Sequence, residues 1–154
     1  MESKIEEKII PEQQMAIVNH KGNVKDMGIL IAQLLGWAEA NEVNVSGPPF
    51  AIYYNSPKHV GEDEVIYDMG IPVEGDIDGT DKIQIVELLE HKVVSIIHKG
   101  SYNKLEESYK KLVDFTIKYN YDIIGSPKEI YFNSIHDVNE DELKTEVEFP
   151  VIKM

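Results

Sequence analysis

Laid over itself at an offset of 78 residues, the chain repeats without a gap, and this constrains its fold more than any other feature. His20-Lys21-Gly22 falls on His98-Lys99-Gly100, and Gly47 and Pro49 fall on Gly125 and Pro127. Ile52-Tyr53 falls on Ile130-Tyr131, Asn55-Ser56 on Asn133-Ser134, Glu62-Asp63-Glu64 on Glu140-Asp141-Glu142, and Pro72-Val73 on Pro150-Val151. Nineteen of the 76 comparable positions are identical, against about five expected from ordinary residue frequencies. Whatever one half folds into, the other half folds into as well.

Each repeat reads as β-α-β-β. An extended run comes first, around Ala16-Ile17-Val18 or Val93 to Ile97, closed by Lys-Gly. A helix follows. Asn23 caps the first, in which Val24, Met27, Ile31, Leu34, Leu35 and Ala38 recur at helical spacing; Ser101 caps the second, with Tyr102, Leu105, Tyr109, Leu112 and Val113. Gly-x-Pro then opens a strand, Phe50 to Asn55 or Glu129 to Ser134, and after an acidic turn a last strand runs through Val65 to Val73 or Leu143 to Ile152. Glu74-Gly75-Asp76-Ile77-Asp78-Gly79 reads as a linker between repeat one (residues 1–75) and repeat two (80–154). The expectation is a single α+β domain over 1–154 with pseudo-twofold symmetry, antiparallel sheets and one main helix per half. A small sheet with one helix leaves a face uncovered, so the two open faces are expected to meet around a central cleft.

Composition narrows the function. With 28 acidic against 15 basic residues the formal charge is −13, which argues against direct contact with a nucleic-acid backbone. All fifteen basic residues are lysines, so the forked guanidinium suited to phosphate or carboxylate is missing. There is no cysteine, which excludes disulfides and thiolate metal sites and favours a cytoplasmic protein. No apolar run reaches the roughly 18 residues of a membrane span, and the charged start MESKIEEKII is unlike a secretory signal. His20, His59, His91, His98 and His136 show no metal-ligand spacing, and no P-loop, Gly-x-Ser-x-Gly elbow or nucleotide fingerprint is present, so neither metal nor cofactor is expected.

The strand motifs Phe50-Ala51-Ile52-Tyr53-Tyr54-Asn55 and Tyr67-Asp68-Met69-Gly70-Ile71-Pro72-Val73, with Thr145-Glu146-Val147-Glu148-Phe149-Pro150-Val151 closing the chain, resemble the GyrI-like, or AraC-type effector-binding, domain over almost the whole length. That resemblance implies a cleft between the halves holding hydrophobic, often cationic molecules between aromatic walls, with a buried glutamate near the end of the last strand; Glu146 is the matching position. It implies that in regulators the domain is fused to a helix-turn-helix; no segment is left over here for one, so a stand-alone version is expected. Among stand-alone members it also implies hydrolases that open strained cyclopropane rings of DNA-alkylating compounds, and proteins that protect gyrase.

Residue by residue, Glu146 and Glu148 share one face of a strand and Val147 and Phe149 the other, so both carboxylates face the cleft if the apolar pair packs on the helix. Asp68 is the symmetry mate of Glu146, and Gly70 beside it leaves room for a ligand. Trp37, Tyr53, Tyr67, Tyr109 and Tyr131 supply rings able to stack on flat cations. Trp37 and Tyr67 stand out because Phe115 and Thr145 replace them in the other copy. The leading expectation is a sensor or sequestering protein for flat hydrophobic cations, bound by Glu146, Trp37, Tyr67, Asp68, Tyr53, Tyr109, Tyr131 and Phe149 in a monomer or homodimer. One rival is a hydrolase in which Glu146 or Asp68 activates water and Tyr67 donates a proton. Another is an acidic protein that binds a partner such as gyrase.

Overall fold

The structure is a computed structural model that describes residues 4–56, 58–134 and 137–154. It is α+β, with ten strands and two α-helices among the described residues. The chain forms two compact units. One comprises Glu12–Leu89; the other comprises Glu90–Met154 together with the N-terminal stretch that ends at Pro11.

In the 12–89 unit, β2 (Gln13–Gly22) leads into α1 (Met27–Ala40), β3 (Asn44–Val45), β4 (Phe50–Tyr53), β5 (Val65–Glu74) and β6 (Gln84–Leu88). The strands run in the order β4-β5-β2-β6, all antiparallel, with β3 also on β5. In the other unit, β7 (His91–Lys99) leads into α2 (Leu105–Lys118), β8 (Tyr121–Ile123), β9 (Lys128–Tyr131) and β10 (Lys144–Lys153). Its order is β9-β10-β7-β1, again antiparallel, with β8 also on β10. The fourth strand, β1 (Ile5–Ile10), comes from the beginning of the chain.

The repeat is therefore reproduced strand for strand, with one exchange. Shifted by 78, β1 lands on β6, yet β1 pairs with β7 of the second repeat and β6 pairs with β2 of the first. Each repeat's opening strand completes its sibling's sheet. The β-α-β-β reading lacks these two strands, and β6 begins only five residues beyond the segment read as a linker.

Both expected caps are present, although each closes a turn of 3-10 helix ahead of the α-helix. The Asn23 side chain accepts from the Lys25 amide and Ser101 Oγ from the Asn103 amide. The buried stripes differ in part from those expected. Leu30, Leu34 and Ala38 are buried in α1, while Leu35 and Val24 are exposed; Leu105, Ser108, Leu112 and Thr116 are buried in α2, while Val113 and Tyr102 are exposed. The 3-10 turns shift the phase of each helix, which moves Val24 and Tyr102 off the stripe. In the unit that holds α2, Val94, Ile96, Leu105, Leu112, Val147, Phe149 and Val151 form one apolar cluster, with Ile5 of β1 packed against it. No helix among the described residues is long and apolar enough to cross a membrane.

Candidate functional site

Strand alternation decides which carboxylates of the 90–154 unit face the helix. Val147 and Phe149 of β10 belong to the apolar cluster under α2, so Glu146 and Glu148 face the opposite side of the sheet. Glu129 of β9 lies directly across from Val147 and therefore points to the helix side. There it is buried, only 7% exposed, and its carboxylate takes two phenol donors: Tyr109 of α2 at 2.5 Å and Tyr131 of β9 at 2.8 Å. No ammonium is paired with it among the described residues. Burial drives its pKa up, against the opposing pull of the two phenols and of His98. Tyr102 leans edge-on against Tyr131 at 6.1 Å, and Tyr109 packs edge-on against Phe149 at 5.8 Å. Tyr102 is half exposed, and burial together with the Glu129 charge raises its phenol pKa. The result is one buried acid inside four aromatic rings.

Glu146 is also buried, but it is neutralised. Lys8 of β1 reaches it at 2.7 Å, so it is an ion-paired carboxylate on the face away from α2. Glu148 beside it is pushed up to about 7 by burial and by its hydrogen bond to Glu146. Lys128 lies near both acids, with its own pKa lowered by burial. A carboxylate already matched by an ammonium offers a second cation little, because the first charge must be displaced. The sequence reading put the two acids on the correct common face and missed Glu129. At the matching position of the first repeat stands Ala51, fully buried.

The remaining candidates belong to the 12–89 unit and are largely core. Tyr67 is fully buried; its hydroxyl donates to the Asn23 carbonyl at 3.0 Å, and its ring lies between His20 and Tyr53. Burial and, secondarily, the Asp26 charge push its phenol up to about 12. A phenol sealed in this way is a structural tie, which corrects its expected roles as proton donor and ligand wall. Tyr53 is buried too, with its hydroxyl 3.9 Å from Met27 Sδ. Asp68 is buried between Asn19 Nδ2 at 2.9 Å and the Tyr54 hydroxyl at 2.5 Å. The room expected at Gly70 does not exist, since a Cβ there would lie 2.6 Å from the Phe50 ring and 2.8 Å from Ile17. Trp37 is half-buried near the end of α1, where its carbonyl accepts from Asn41. His136 lies outside the described residues.

Thus Tyr109, Tyr131 and Phe149, of the expected residues, gather around one acid, and that acid is Glu129. A family model, the GyrI-like small molecule binding domain, matches residues 1–152. The chain belongs to the GyrI-like family. Among solved structures it is similar to the C-terminal domain of EcmrR, at 22% identity and a TM-score of 0.87 over 100% of both chains. It is also similar to an uncharacterized conserved protein from Listeria innocua, at 17% identity and a TM-score of 0.75, covering 97% of this chain and 92% of that one. SAV2435, solved bound to tetraphenylphosphonium, is a more distant likeness at 12% identity and a TM-score of 0.59, with 99% and 94% covered. No curated protein matches. This GyrI-like chain thus carries a fold used for small-molecule binding, and its two repeats differ in that the second places Glu129 under its helix where the first has Ala51.

Proposed function

We propose that this GyrI-like protein binds hydrophobic, aromatic organic cations at Glu129 and serves as a sensing or sequestering module for them. The observation that carries the reading is a carboxylate buried among tyrosines with no ammonium paired to it among the described residues. A buried carboxylate ordinarily has a cationic partner, as Glu146 has in the same unit. In this reading a bound cation takes that partner's place at Glu129. A cation beside it would gain from the weakly screened charge, and the surrounding rings contribute about 0.5–2 kcal/mol for each cation–ring contact. SAV2435, which shares the fold, was solved with tetraphenylphosphonium, a hydrophobic cation, bound.

Titration calorimetry with tetraphenylphosphonium, and with tetraphenylborate as its anion of equal shape, tests the proposal. Saturable binding of the cation alone is expected. Glu129→Gln should weaken it by at least tenfold, about 1.4 kcal/mol, and Glu146→Gln should change it little. Equal binding of the two ions, or a Glu129→Gln protein that binds the cation as before, would rule the reading out.

A further inference from the structure

The two copies of one histidine have different surroundings. His98 is buried and both ring nitrogens are engaged, Nδ1 with Ser108 Oγ at 2.9 Å and Nε2 with the Ser101 carbonyl at 2.9 Å. It pins β7 to the start of α2. Among the described residues its mate His20 is hydrogen-bonded only through Nε2, 2.9 Å from Asp26 Oδ2. Where the second repeat has Ser108, the first has Leu30, so no hydroxyl meets Nδ1; where the second has Lys104, the first has Asp26.

The surrounding backbone accommodates this pairing. A Cβ on Gly22 would lie 2.7 Å from His20 Nε2 and 2.9 Å from Asp26 Oδ2, so the His20–Asp26 pair occupies the space a side chain at position 22 would need. In a neutral imidazole, a carboxylate facing Nε2 favours the proton there and leaves Nδ1 as the lone-pair acceptor. His20 and Asp26 line an open groove of about 610 Å³ with Val18, Ile29, Leu30 and Gln33 among its walls, and the charged side chains of Asp81 and Lys82 also line it. One side is apolar. Ile29 is 64% exposed there, on the first turn of α1.

We propose that this groove is a second small-molecule site, separate from Glu129. It takes an aliphatic compound carrying a hydrogen-bond donor, a primary hydroxyl or an ammonium, at one end. The donor engages the oriented imidazole of His20, and the stem lies against Val18, Ile29 and Leu30.

The test is a titration of the full-length ¹⁵N-labelled chain at about pH 8, above the usual imidazole range, with hexanol, hexylamine and hexanoate. The ring nitrogens of His20 and His98 are followed by long-range proton–nitrogen correlation. A saturable shift of His20 with hexanol, hexylamine or both is expected, and which of them acts assigns the donor. His98 should stay still, and hexanoate should have no effect. Asp26→Asn, and separately Ile29→Ser at an exposed position, should each weaken the response severalfold. Glu129→Gln should leave it intact, which keeps this site's failure distinct from failure of the cation site. No saturable shift with either donor, an equal response to hexanoate, or equal movement of His98 would overturn the proposal.

Discussion

Burial and a neighbouring carboxyl bring the pKa of Glu148 close to neutrality. Its ordinary pKa of 4.5 rises to about 7 because burial penalises the charge and the neighbouring Glu146 favours a shared proton. The folded protein therefore holds this proton more tightly than the unfolded chain does. Below about pH 4.5 both states carry it and the group is neutral to stability. Between about 4.5 and 7 the folded state alone keeps it, so stability falls as pH rises, by up to about 3 kcal/mol at 1.36 kcal/mol per unit. Glu148→Gln, which keeps the hydrogen bond and loses the charge, should raise Tm more at pH 8 than at pH 5. Melting curves for both proteins across that range check the sign. A variant less stable than the parent at pH 8 would mean that Lys8 and Lys128 make the ionised form favourable.

At the scale of elements, both helices end alike. After α1 and α2, the residues at equivalent positions, Glu42 and Asn120, have φ of 54° and 61°. This left-handed conformation is common after a helix and suits glycine or asparagine; a residue such as glutamate adopts it at a penalty of about 1 kcal/mol. Glu42→Gly should therefore stabilise the protein, raising Tm by about 2–4 °C if the 154-residue chain melts as one and the whole penalty is recovered. Asn120→Gly should do much less, and calorimetric melting of the two variants compares them directly. The helices were legible because Asn23, Ser101 and the apolar spacing announce them. The strands next to them were legible because Val65 to Val73 and Leu143 to Ile152 are long and β-branched. β1 and β6 were not. Ile-Glu-Glu-Lys-Ile-Ile lacks alternation, and a strand at the edge of a sheet needs little of it. Glu129 escaped attention for a related reason: alternation shows which residues share a face, whereas the register of β9 on β10 shows which face the helix covers, and only coordinates supply that register.

For the molecule as a whole, the consequence of the strand exchange is that the unit carrying Glu129 depends on the first residues of the chain. Along β7, the β1 register runs from Ile5 opposite Ile96 to Ile10 opposite His91. Ile5 packs on the apolar cluster, Lys8 neutralises Glu146, and the Glu7 carboxylate accepts from the Tyr121 hydroxyl at 2.5 Å. Removing Met1–Pro11 strips one edge of β7 and leaves Glu146 buried without its ammonium. A lost buried partner alone costs about 3–5 kcal/mol. In the 12–89 unit, β2 keeps both neighbours, β5 and β6. Hydrogen exchange on a chain lacking those eleven residues should therefore show Val93 to Ile97 losing protection by orders of magnitude, while Met15 to Ile17 keep most of theirs. Uniform loss in β2 and β7 would show that the two units open as one cooperative body. Unchanged protection in β7 would mean that β1 contributes little beyond covering an edge. If the selective loss is seen, cation binding at Glu129 should fail in the truncated chain as well, because β9 is held through β10 on the strand that β1 supports.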